Sequence, residues 1–142
     1  MIKIAVLDAE MNAIMAAHPQ LVKYYQAVDD EHVSRKLHDA VGMNFVVALP
    51  TYGGLGQSDT PNEQHAIMIW VVEKPGVDYT DQDERDQYAR MQDQIVSIKE
   101  YIRESQEDGC SLWWKLDIDS IVIEPEYNIW GGFNGWFMQL TF

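Results

Sequence analysis

Tyr88, Met91, Ile95, Ile98 and Ile102 recur at steps of three and four, while Gln, Asp, Arg, Lys and Glu fill the positions between them. That spacing places one narrow apolar stripe on a helix from about Asp81 to Gln106. Thr80 followed three residues later by Asp83 supplies a capping box with Asp in the place of the usual Glu, and Asp108-Gly109 supplies the stop. At about 1.5 Å per residue such a helix is roughly 39 Å long, enough to cross a whole sheet face. A stripe of that length needs a partner, and the rest of the chain has to provide a broad apolar surface.

The strands come from two kinds of run. His65 to Val72 is apolar at both parities, which marks a central strand, Gln64 to Glu73, covered on both sides. Met43 to Leu49 is β-branched and apolar, and Leu21 to Val28 is rich in Val and Tyr, so both predict strands. Near the C-terminus, Leu116 to Glu124 and Gly135 to Phe142 predict two more, joined by Pro125 to Asn134 with Gly131, Gly132 and Asn134-Gly135 as turn chemistry. In the last of these Trp136, Met138, Leu140 and Phe142 share one face, and Phe137, Gln139 and Thr141 the other.

Two shorter helices complete the pattern. Ile4, Leu7, Met11 and Ile14 define an amphipathic segment to about Ala17 that His18-Pro19 ends. Asp29-Asp30 offers an N-cap for a helix carrying Val33, Leu37 and Val41, stopped by Gly42. Between the second and third strands, Pro50 to Asn62 contains Gly53, Gly54, Gly56 and Pro61, and predicts a projecting, mobile loop. The expected fold is one α+β domain over 1–142, a mostly antiparallel sheet of four to five strands with helices packed on one face.

Charge and cysteine usage narrow the function. Lys plus Arg is 10 and Asp plus Glu is 23, a net charge of −13, which opposes ordinary duplex binding because neutralising phosphates requires a basic surface. One cysteine, Cys110, excludes an internal disulfide framework. Met1 to Leu7 is too short and too soon followed by Asp8 and Glu10 for a signal peptide, and no apolar run approaches the roughly 20 residues of a bilayer crossing, so a cytosolic site of synthesis and no membrane partner are expected.

No residue pattern assembles a catalytic set. Asp78, Asp81, Asp83, Glu84 and Asp86 are dense in carboxylates, but counting from Asp78 or Asp81 gives neither the Gly nor the Glu of an EF-hand, and an acidic first turn complementing the helix dipole accounts for them. His32 and His38 stand six residues apart, on different sides of a helix, where a zinc pair needs i, i+4. His65 alternates with Ile67 and Ile69 as a partly buried strand residue, His18 ends a helix, and Cys110 carries no local nucleophile signature. Gly53-Gly54-Leu55-Gly56 lacks the endings of a phosphate loop or dinucleotide turn, and there is no Gly-x-Ser-x-Gly elbow. No enzyme activity, cofactor or metal is expected.

The least ordinary feature is aromatic: Trp113, Trp114, Tyr127, Trp130, Phe133, Trp136 and Phe137 fall in 25 residues around one hairpin. Alternate members share parity with core positions, while Trp130 and Phe133, in the Gly-rich turn, are expected to be exposed contact residues.

Taken together, the loop before Glu63-Gln64-His65-Ala66-Ile67, the Glu73-Lys74 strand end, the helix Asp81 to Gln106, and Asp117-Ile118-Asp119-Ser120 leading into Trp130-Gly131-Gly132-Phe133-Asn134-Gly135-Trp136 resemble small virion proteins of phages and prophages of gut Bacteroides-type bacteria, of the tail-terminator and tail-completion class. The resemblance covers nearly the whole chain and is strongest over its last 25 residues. It implies a tail-terminator-like fold and a structural protein of the virion, assembled in the host cytoplasm. It further implies a homo-oligomeric ring, commonly of six copies, between tail and neck, contacting other tail and neck proteins while DNA passes without specific binding. Such proteins have no active-site residues; Tyr52, Leu55, Trp130, Phe133 and Trp136 are the positions that correspond to intersubunit contacts. An acidic lumen would repel phosphates and let a duplex slide. The same charge also fits an acidic DNA mimic that inhibits a nucleic-acid enzyme, and a small enzyme using Cys110 or a histidine is the third alternative.

Overall fold

The computed structural model describes residues 1–55, 62–109 and 111–142, with the side chains of 54, 55, 62 and 63 outside the description. In chain order the elements are α1 (Ile4–Ala17), β1 (Lys23–Ala27), α2 (Asp30–Leu37), β2 (Met43–Ala48), β3 (Thr51–Leu55), β4 (Asn62–Glu73), α3 (Asp81–Gln106), β5 (Val122–Ile129) and β6 (Phe133–Thr141). The six strands form one sheet in the order β1-β2-β4-β6-β5, with β3 also paired to β4. All pairings are antiparallel except β1 with β2. The fold is α+β, with six strands where four to five were expected.

The extra strand comes from the segment predicted as a loop. Thr51–Leu55 pairs residue by residue with Asn62–Ala66, running in line with β2 along the same side of β4. Between Val47↔Ile69 and Thr51↔Ala66 the three residues 48–50 stand against two, Ile67 and Met68, so Pro50 sits at a bulge where its missing N–H interrupts no ladder bond. The remaining loop residues, 56–61, lie outside the described residues, as does Cys110.

Helix α3 begins as its sequence predicts: Thr80 Oγ1 accepts from Asp83 N at 3.2 Å, and Asp83 Oδ2 accepts from Thr80 N at 2.8 Å. Its stripe of Met91, Ile95, Ile98 and Ile102 is fully buried with Leu7, Met11 and Ile14 of α1 against Phe45, Val47, Ile67, Ile69, Val71, Met138 and Leu140. His18 ties the two helices together, with Nδ1 bonded to Ile14 O at 2.7 Å and Nε2 to Ser97 Oγ at 3.1 Å. Trp113, fully buried, stacks on Phe142 and donates its Nε1 to Glu10.

The helices do not all lie on one face. A parallel β1/β2 pair requires a crossover, and α2 is that crossover. It packs Val33 and Leu37 on the opposite sheet face, with Ala27, Val46, Val72 and Phe133. Being only 8 residues long, it covers part of that face. It also ends before Gly42, which instead turns the chain into β2 with φ +70°.

The C-terminal strands are shifted from the predicted ones. Leu116 to Ser120 is not strand: Ser111 caps one 3-10 turn, Leu112–Lys115, and Asp117 another, Ile118–Ser120, each side chain accepting from the backbone two residues on. These local bonds displace a ladder. Strand β5 starts at Val122 and runs through Pro125, which an edge strand tolerates.

Candidate interaction surfaces

The five predicted contact residues fall into three places. Tyr52 lies on β3, directly across from His65 on β4, with their rings 5.5 Å apart and half of Tyr52 exposed. Leu55 ends the same strand; its side chain lies outside the described residues. From Gln64 outward this pair of strands runs beyond the end of β6, whose pairing stops at Ala66↔Thr141 with one more contact between His65 and Phe142. It is a two-stranded ribbon whose outer edge pairs with no described strand. Beneath it opens a cleft of about 390 Å³ lined by Lys3, His65, Leu112, Trp114, Lys115 and Phe142, among others. Lys115 Nζ stands 4.8 Å over the Trp114 ring. Two of the chain's ten lysines and arginines meet here, making a basic, apolar corner on an acidic protein.

Trp136 lies on the α3 side of β6, half-buried, donating Nε1 to Tyr88 O at 2.9 Å. The Tyr88 hydroxyl in turn donates to Glu126 O at 2.7 Å. Burial and then the Glu84 carboxylate hold the Tyr88 phenol above its usual pKa. Trp136, Tyr88, Pro125 and the exposed Tyr127 line an open groove of about 520 Å³.

Phe133 is a correction. It is 2% exposed and belongs to the core under α2, so it is not available for contact. The turn after β5 explains the burial. Asn128 and Trp130 adopt φ of +52° and +49°, and Gly131 and Gly132 are also left-handed, so the chain coils back and Phe133 points inward beneath Lys74.

Trp130 is half-buried on the opposite side of the sheet from Trp136. Its Nε1 donates to Asp30 Oδ1 at 3.1 Å, at the start of α2. Its ring meets Trp70 of β4 edge to face, centroids 5.2 Å apart and planes at 71°. The Phe137 ring also packs against Trp70, with centroids 5.0 Å apart and planes tilted by 41°. Asp30, Trp70, Glu126, Ile129 and Trp130 line a cleft of about 510 Å³ where the short α2 leaves the sheet uncovered. Sequence reading missed Trp70 and Asp30, which stand 60 and 100 residues from Trp130; the one available signal was an indole in the middle of a strand whose other face was already committed to α3.

The acidic clusters resolve into local structure. Asp29 caps α2 through His32 N, Asp83 closes the capping box, and Asp86 accepts from Gln82. His38 pairs with its neighbour Asp39 on an exposed surface. Among the described residues no group of three or more His, Cys, Asp or Glu side chains converges as a metal cage, and no helix is long and apolar enough to cross a membrane. Comparison of the chain with protein-family models, with curated proteins and with solved structures finds no match.

Proposed function

We propose that this chain is a ring-forming structural subunit of a phage virion, of the tail-terminator or neck-tail connector kind, which encircles a DNA channel and offers its neighbours surfaces in place of catalytic groups. The observation that carries this reading is the β3–β4 ribbon. A two-stranded ribbon alone is marginal in water. Edge strands of monomers are ordinarily blunted by charge, proline or cover. Strand β5 has such protection in Glu124, Pro125 and Glu126, whereas Thr51–Leu55 has no charged residue and no proline. An uncharged edge on an overhanging ribbon, paired with no described strand, is one that an assembly would complete with a neighbour's backbone.

Ring closure needs one patch to meet a different patch on the next copy. The basic corner at Lys3 and Lys115 and the acidic cleft at Asp30 and Glu126 are two such unlike patches. The net charge of −13 favours a lumen along which a duplex slides without sticking.

The test is light scattering of the full chain over a wide concentration range, with electron microscopy of the product and of phage particles that contain it. Closed rings and particle-bound copies are expected. Gly53→Lys should abolish the rings with the far-UV spectrum and urea midpoint unchanged, because open space surrounds the position a Cβ would take. A monomer at every concentration, together with its absence from particles, ends the proposal.

A further inference from the structure

The cleft between Trp70 and Trp130 has the composition of a cation receptor. The two indoles line the cleft and meet edge to face at 71°, so the ring that approaches edge-on keeps its π-faces clear of its partner. The negative face of an indole attracts a cation within about 6 Å of its centroid, more strongly where water is excluded. Two carboxylates share the same cleft, Asp30 and Glu126, and neither forms an ion pair with a described residue. Asp30 spends one oxygen on the Trp130 indole N–H, which fixes the ring and leaves the second oxygen free to face a cation. Two cations near this side are committed elsewhere: Lys74 stands over the Phe133 ring and Lys36 donates to Gln26 O.

We propose that this cleft binds an alkylammonium group. The ligand class follows from the lining. A flat aromatic wall suits a weakly hydrated, methyl-bearing ammonium better than a small, tightly hydrated metal ion, and the two carboxylates supply charge without converging as a cage. A volume of about 510 Å³ has room for a trimethylammonium head with part of the chain that carries it. The group can arrive on a free amine or on a lysine side chain of a polypeptide; the chemistry is the same. This inference stands independently of ring formation, since it concerns the folded single chain.

The experiment titrates the full chain with choline, with its neutral carbon isostere 3,3-dimethyl-1-butanol, and with a short peptide bearing one trimethyl-lysine. Indole fluorescence and the Nε1–H resonances of Trp70 and Trp130 report binding. Saturable shifts of those two indoles are expected for the cations, with the neutral isostere at least about tenfold weaker, a gap of roughly 1.4 kcal/mol. Tighter binding of the peptide than of choline assigns a chain-borne source, and the reverse a free amine; both support the proposal. Trp130→Leu should remove binding. Should that variant fail to fold, Asp30→Asn combined with Glu126→Gln leaves the core intact and should weaken choline about tenfold while leaving the isostere unchanged. Equal affinity for choline and the isostere, or no saturable shift with any probe, overturns the inference.

Discussion

Gly135 allows the sharpest test of how the sheet is held together. It stands in β6 directly across from Val72, with Glu126 of β5 on its other side. A Cβ built there would lie 2.3 Å from Val71 O, 2.7 Å from Val72 Cγ1 and 3.1 Å from Val72 Cα. Two of those atoms are backbone of the central strand, which is itself pinned between β2 and β6, so the clash cannot be relieved by a rotamer change. Overpacking of this kind costs about 1–3 kcal/mol, and an obstacle made of backbone puts Gly135→Ala at the upper end. The alanine recovers about 0.4–1 kcal/mol by narrowing the unfolded ensemble, leaving a net loss of about 2 kcal/mol. With a urea slope of about 2 kcal/mol/M, the midpoint should fall by about 1 M at unchanged slope.

Two other glycines calibrate the measurement. Gly53 has no positive φ and nothing near the Cβ position, so Gly53→Ala should be neutral or slightly stabilising. Gly131 also has open space but sits at φ +85°, so Gly131→Ala should lose about 1 kcal/mol from left-handed strain alone. The expected order of midpoints is Gly53→Ala, then Gly131→Ala, then Gly135→Ala. A Gly135→Ala protein that unfolds at the wild-type midpoint, or above Gly131→Ala, refutes the claim that β4 and β6 approach through the missing side chain.

Two further outcomes concern titratable groups. Burial first, and then the nearby Asp8 charge, push the Tyr24 phenol up to about 12, against a smaller lowering from the neighbouring Gln26 amide, which stands too far out of line for a well-formed hydrogen bond; among the described residues the buried hydroxyl has no other partner. A raised folded pKa means stability that is complete below pH 10 and declines as pH rises from 10 toward 12; Tyr24→Phe should flatten that decline in urea midpoints at pH 9.5 and 11, and gain up to about 1 kcal/mol at neutral pH by removing an unsatisfied group. Thr80→Ala should cost about 1 kcal/mol through loss of the α3 cap. The hydrogen bond from the Thr80 side chain, then that from its backbone, lower the Asp83 pKa, so its contribution is present above the ordinary value of 3.8 and is lost as pH falls through the depressed folded value; a smaller protection factor at the Asp83 amide, taken against the unstructured exchange rate at the same pH, is the readout.

Features written locally in the chain were legible, and features that depend on distant partners were not. The capping box and stripe of α3 are set by residues within one helix, and the both-faced apolarity of β4 is a property of one run. The side taken by α2 depends on β1 and β2 being parallel, which no residue in either strand announces. Strand β3 was hidden because Gly53 and Gly54 carry no alternating side chains, although backbone pairing with β4 needs none. The turn at Leu112–Ser120 was hidden because Ser111 and Asp117 divert the backbone with their own oxygens. Phe133 was misjudged for a related reason: its burial follows from four left-handed residues just before it, two of which are not glycine.

Those left-handed residues bear on what the Trp130 turn is for. A bulky aromatic at φ +49° is uncommon and carries strain of about 1–2 kcal/mol, where Asn or Gly would close the same hairpin with less. The strain persists because the turn is held from behind. Gln87, fully buried on α3, donates to Glu73 O at 3.2 Å and accepts from Asn134 Nδ2 at 3.2 Å; Asn134 Oδ1 then accepts from Asn128 N at 3.1 Å. A run of three hydrogen bonds therefore connects the end of β4, through Gln87 of the long helix and Asn134 of β6, to the first left-handed residue of the turn. Buried polar chains of this kind impose one geometry because any break leaves several groups unsatisfied at once. Their effect here is to hold the Trp130 indole at a fixed angle to Trp70 with its N–H committed to Asp30. A hairpin needing only closure has no use for that arrangement, whereas a surface that must meet a ligand or a neighbouring copy with pre-set geometry does.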